Sequence, residues 1–166
     1  MNNSSSNLAD RIRDELADLQ AVVQKCERAW QEAKRQPEQQ DIFLDSVALN
    51  IHSIYAGIES LFELVARHID GSIPTHERWH HELIVQMTQE IPEIRPAVIS
   101  PESQALLDEF RRFRHLVRNV YTINLDPERL EALIRKIPQL WRTIELELNA
   151  FADFLDDLSQ TEQKND

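Results

Sequence analysis

Apolar residues recur every three to four positions through most of the chain. Leu8, Ile12, Leu16, Leu19, Val23, Cys26 and Trp30 form the first such line. Side chains at that spacing share one face of a helix, so the pattern predicts a helix over about 8–35. Pro37 ends it or starts the next. A second line, Leu44, Val47, Ile51, Ile54, Ile58, Leu61, Phe62 and Val65, predicts a helix over about 41–70. Gly71 follows where a helix C-terminus favours glycine. Thr75 is a candidate cap for a short helix over 76–89, and Pro92 and Pro96 make 91–99 an extended connection. Ser100-Pro101 and Asp126-Pro127 repeat one start signal, a capping side chain and then proline in the first turn. They open a fourth helix reaching about 122 and a last one over roughly 127–158, which Pro138 should kink or divide. No segment alternates as a strand does. The expected fold is an all-α bundle of four to five helices, mostly antiparallel because the connections are short. One domain over 8–158 is expected, flanked by disordered segments at 1–7 and 159–166.

Composition narrows this further. The 166 residues suffice for one domain with a core. Only 2 are glycine, against about 12 at the usual ~7%. Sheet folds and phosphate loops use glycine in turns and close approaches, so a β-sandwich, a Rossmann fold and a P-loop enzyme are disfavoured. Lys+Arg number 18 and Asp+Glu 29, a net charge of −11. That excludes a generic nucleic-acid coat but leaves room for a local basic patch. Cys26 is the single cysteine, so neither an intrachain disulfide nor a cysteine zinc site can form. The start of the chain has no apolar leader, and no apolar run approaches the ~20 residues of a membrane span. A cytoplasmic protein without a membrane partner is the expectation.

Two strings carry candidate chemistry. The first is Arg111-Arg112-Phe113-Arg114-His115-Leu116-Val117-Arg118-Asn119-Val120-Tyr121. Wound as a helix, Phe113, Leu116, Val117 and Val120 fill an apolar arc. Arg111, Arg114, His115, Arg118, Asn119 and Tyr121 share the opposite side. Arginines there suit phosphate, and an imidazole moves protons near neutral pH. On RNA, the 2′-hydroxyl can attack its own phosphodiester, which needs a base and a cationic clamp and no metal. The ordinary alternative is a solvated face whose arginines pair with Asp108, Glu109 and other acids. The second string, His76-Glu77-Arg78-Trp79-His80, spells the zinc-protease pattern H-E-x-x-H. The residues expected of a metzincin are missing at Leu83 and Gln86, so a helix start with Trp79 anchored in the core is preferred and no metal is expected. Cys26, Trp30 and Trp141 read as packing residues, while His52 and His68 belong to no pattern.

The run 113–121, followed by Asn124-Leu125-Asp126-Pro127-Glu128-Arg129, resembles the HepT-like branch of the HEPN superfamily. Ile58-Glu59-Ser60-Leu61-Phe62, Asp70-Gly71, Trp79-His80, Leu83 and Arg95-Pro96-Ala97-Val98-Ile99-Ser100 resemble that branch's landmarks in order, so the likeness covers about 45–157. The resemblance implies an all-α HEPN bundle, a homodimer, and a metal-independent ribonuclease toxin with no cofactor and the motif R-x4-H-x-Y. It also implies a minimal nucleotidyltransferase antitoxin able to transfer AMP to the motif's tyrosine. Arg114 falls on the arginine and Tyr121 on the tyrosine, but Asn119 takes the histidine's place. Asparagine hydrogen-bonds a phosphate and exchanges no proton near pH 7. The candidate catalytic set is therefore Arg114, Asn119 and His115, with Arg111 and Arg118 on the phosphates of RNA (transfer RNA among the candidates) and Tyr121 as the AMP acceptor. The alternative is an inactive HEPN protein that binds RNA, a nucleotide or a nucleotidyltransferase partner. An imidazole within reach of Arg114 in the dimer separates the two, whereas a plain scaffold would pair Arg114 with a carboxylate of its own subunit.

Overall fold

The computed structural model describes the backbone of residues 3–117 and 125–165 and, within them, the side chains of 5–114 and 125–161. Helix accounts for 83% of the structure, and no strand occurs among the described residues, so the fold is all-α. The order is α1 (Asn3–Arg35), α2 (Gln40–Val65), α3 (Trp79–Thr88), α4 (Pro101–Val117), α5 (Pro127–Ile134) and α6 (Ile137–Asn165). Helices α1 and α6 run past the expected boundaries at 8 and 158, because neither end carries the Pro or Gly that would stop them.

The two apolar lines meet. Leu8, Ile12, Leu16, Leu19, Val23 and Cys26 of α1 are buried, as is every member of the α2 line. A short 3₁₀ turn, Pro37–Gln39, reverses the chain between them. Gly57 marks their close approach, since a Cβ there would lie 2.3 Å from Leu19 Cδ2. Helix α6 lies along the other flank of α1 through Leu148, Phe151, Ala152 and Leu155. Arg13 ties that seam to Asp153 and Asp156, each at 2.8 Å, and Trp141 donates its indole N–H to Gln20. Helix α4 packs on α2, and α3 bridges both.

The ends of α2 and α3 position the site. Helix α2 widens into a π-helical turn, Ala66–Asp70, and stops at Gly71 with φ 68°, a left-handed conformation cheap only for glycine. Asp70 then meets Arg95, with Nε to Oδ1 at 2.6 Å and Nη2 to Oδ2 at 2.7 Å, and both side chains are essentially inaccessible (1% and 0%). Arg95 also donates to the carbonyls of Gln86, Gln89 and Pro96. One buried guanidinium thus fixes the 91–99 connection against the ends of α2 and α3. The capping signals at 100 and 126 act as expected: Ser100 Oγ accepts from Ser103 N–H at 3.2 Å, and Asp126 Oδ1 from Glu128 N–H at 3.0 Å. Thr75 does not cap α3. The chain turns through His76–Arg78, and α3 begins at Trp79, whose N–H meets the His76 carbonyl at 2.9 Å.

Candidate functional site

Tyr55 and Glu59 stand four apart on α2, hence on one face, and that face is otherwise apolar: Ile51, Ile58 and Phe62 are buried around them. A carboxylate placed there needs donors. Tyr55 Oη donates to Glu59 Oε2 at 2.8 Å, and His80 Nδ1 lies 2.6 Å from the same oxygen. Burial pushes the Tyr55 phenol up, helped by the Glu59 charge and its hydrogen bond and opposed by Arg111 and Arg114. The phenol therefore stays a donor throughout the physiological range.

His80 and His81 occupy the first turn of α3, while Asp108, Arg111 and Arg114 recur every third residue on α4 and face it. Arg114 Nη1 meets His80 Nε2 at 2.9 Å. A guanidinium can only donate. His80 Nε2 is therefore the acceptor, and the ring proton sits on Nδ1, directed at Glu59. The Trp79 ring lies against the imidazole, with centroids 3.6 Å apart. The side chains of His80 and Glu59 are 12% and 7% exposed. The buried Nε of Arg114 has no hydrogen-bond partner among the described residues.

A second unit sits beside the first. Asp108 Oδ1 accepts from Arg111 Nε at 2.9 Å and from His81 Nδ1 at 3.2 Å. Burial opposes the Asp108 charge, but the bonds from Arg111 and His81 outweigh it and lower its pKa. The site thus offers two arginines and two imidazoles, of which His80, His81 and Arg111 are held by carboxylates. The arrangement suits an anion that can draw Arg114 outward.

The sequence-predicted residues distribute unevenly. Arg111 and Arg114 come together on α4, and Arg111 does pair with Asp108, whereas Glu109 pairs with Lys136 instead. His115 lies in the last turn of α4, and its side chain, like Arg118, Asn119 and Tyr121 altogether, lies outside the described residues. Among the described residues, Arg114 meets an imidazole rather than a carboxylate. His76 and His80 part company: His76 Nδ1 reaches Glu82 at 3.1 Å, and His80 turns to Glu59. Sequence reading left His80 a landmark and did not connect it to Arg114. The available signal was Glu59, an acid on a helix face that must be buried. A broad cleft of about 1030 Å³ opens elsewhere, where the end of α1 meets Phe43 and Pro138, and none of its lining residues belongs to this cluster.

No helix among the described residues is long and apolar enough to cross a membrane. No curated protein and no solved structure matches the chain. A family model described as HepT-like protein matches residues 46–155. That span runs from within α2 to within α6 and holds Tyr55, Glu59, His80, Asp108, Arg111 and Arg114, while α1 lies before it. It covers well over half of the 166 residues, and the chain belongs to the HepT-like family of the HEPN superfamily.

Proposed function

We propose that the chain is a HepT-like ribonuclease toxin that cleaves RNA without a metal. In this reading it works as a homodimer in the cytoplasm and is neutralised by a minimal nucleotidyltransferase that attaches AMP to Tyr121. The supporting observation is the surroundings of Arg114: the motif arginine meets the His80 imidazole, with its Nε unpartnered among the described residues, and Arg111 and His81 meet at Asp108 one turn and a half before it. Guanidinium groups grip a phosphate through paired N–H donors. A cation there also stabilises the charge that builds on the phosphorane oxygens during attack by the 2′-hydroxyl. Arg111 and Arg118 are assigned to flanking phosphates and Asn119 to orienting the reacting one. AMP on Tyr121, seven residues after Arg114 in the motif, would bring a negative phosphate that competes with RNA for the arginines.

The test is cleavage of labelled transfer RNA and mixed RNA by the purified chain in EDTA. Arg114→Ala should lower the rate at least 100-fold, the scale ascribed to a lost transition-state donor. Asn119→His, which restores the family motif, should raise it. Cleavage indifferent to Arg114→Ala would place the chemistry elsewhere. No cleavage by either the parent or Asn119→His would leave a binding protein.

A further inference from the structure

We propose that His80 is the general base of this site, with Glu59 as its positioning residue and Tyr55 holding Glu59 in turn. The inference rests on the ribonuclease reading above and supplies what that reading lacks, a proton carrier at Arg114. Three observations carry it. The hydrogen bond from Arg114 leaves His80 Nε2 unprotonated, since a guanidinium has no lone pair to offer. Glu59 Oε2, 2.6 Å behind the ring, fixes the proton on Nδ1 and stabilises the imidazolium that forms when Nε2 takes a second one. Tyr55 and the Trp79 ring then restrict Glu59 and the imidazole plane. A carboxylate behind Nδ1 and an unprotonated Nε2 in front is the arrangement of a base, once the guanidinium on Nε2 gives way to a hydroxyl.

Arg114 explains why the base is not idle in the wrong place. Its Nη1 covers the Nε2 lone pair. A phosphodiester is a stronger acceptor than a neutral imidazole, so a bound phosphate draws the guanidinium to itself and uncovers Nε2. The base is thus exposed when RNA arrives. His80 then takes the proton from the ribose 2′-oxygen. That oxygen bonds to phosphorus, and the bond from phosphorus to the 5′-oxygen breaks. The leaving 5′-oxygen takes a proton from water, and the imidazolium returns its own to solvent. The products are a 2′,3′-cyclic phosphate and a 5′-hydroxyl. His80 and Glu59 lie within the family match, yet 34 and 55 residues from Arg114, so the α2–α3–α4 junction rather than a linear motif assembles the site.

The experiment is steady-state cleavage of a labelled oligoribonucleotide in EDTA, as a function of pH, by the full chain and its variants. His80→Ala and His80→Gln should each lower kcat at least 100-fold with KM little changed, and both should lose the acid-side limb of the pH profile. His80→Gln keeps an acceptor for Arg114 and exchanges no proton, so it separates catalysis from packing. Added imidazole should restore part of the rate to His80→Ala, which no structural role of His80 provides. Glu59→Gln should lower kcat at least tenfold and displace the same limb. If the parent cleaves RNA in an Arg114-dependent way while both His80 variants keep its rate and pH profile, His80 is not the base and the ribonuclease reading stands. If the parent cleaves no RNA, that reading fails and takes this role with it.

Discussion

Burial pushes the Cys26 thiol up to about 12, with the neighbouring Glu27 charge adding to the effect. The side chain is inaccessible in the α1–α2 seam, its Sγ 3.8 Å from the Val47 carbonyl oxygen. Only the thiolate reacts with alkylating agents. At pH 8 the native chain should therefore react with iodoacetamide at least about 100-fold more slowly than the chain in guanidinium, as read by intact mass. The stability consequence has a definite sign. Below the ordinary thiol value of about 8.5 both states hold the proton. Above it the unfolded chain releases the proton and the folded chain keeps it, so stability falls as pH rises toward 12. Cys26→Ala should flatten part of that fall between pH 9 and 10 in urea titrations. The same burial logic decides what was legible at the site. Arg114 stood out because its neighbours in sequence are cationic. His80 did not, because its partners come from two other helices. Glu59 held the clue at single-residue scale: it follows Ile58 and precedes Leu61 on a helix whose apolar line is continuous, and an acid so placed requires donors brought by the fold.

At the scale of elements, the helices were legible where apolar period and capping chemistry agreed. The Ser100-Pro101 and Asp126-Pro127 starts needed only local chemistry and appear as read. Pro138 divides the last helix by standing in the first turn of α6, where an absent N–H costs nothing. The start of α3 departs from the expectation because Thr75 has the right side chain for a cap, while the backbone there is committed to the turn closed by Trp79 N–H on the His76 carbonyl. What the sequence could not show was how α2, α3 and the 91–99 connection lock together. That task falls to Asp70 and Arg95, a bidentate pair with no solvent access. Breaking a buried pair by removing one partner leaves an uncompensated charge, at a cost of about 3–5 kcal/mol. For a chain of this length that amounts to a loss of roughly 10 °C in Tm. Asp70→Ala should show it by calorimetry. Asp70→Leu combined with Arg95→Met should recover much of the loss, because the charges leave together. A double variant no better than Asp70→Ala would mean that the Arg95 bonds to the Gln86, Gln89 and Pro96 carbonyls carry the stability instead.

For the whole molecule, two numbers read from the sequence retain their meaning in the structure: 2 glycines and a net charge of −11. The first goes with an all-α fold whose two longest helices, α1 and α6, hold 33 and 29 residues. The second bears on assembly. The proposed homodimer would bring together two chains of −11. Within one chain Arg111 is offset by Asp108, and Arg114 and Glu59 meet the His80 ring from its two sides, so the cluster adds little net charge of its own. The global charge therefore opposes association, and apolar contact would have to supply the attraction. Salt screens such repulsion, with a Debye length of about 8 Å at physiological ionic strength and about 30 Å at 10 mM. Light scattering at micromolar protein in 150 mM salt should give about twice the 19.4 kDa chain mass. Lowering the salt to 10 mM should shift the equilibrium toward monomer, and Arg114→Ala, which adds one more unit of net negative charge, should strengthen that shift. A monomer at 150 mM would remove the homodimer from the functional reading and leave the Tyr55–Glu59–His80–Arg114 junction, which is complete within one chain, to act alone.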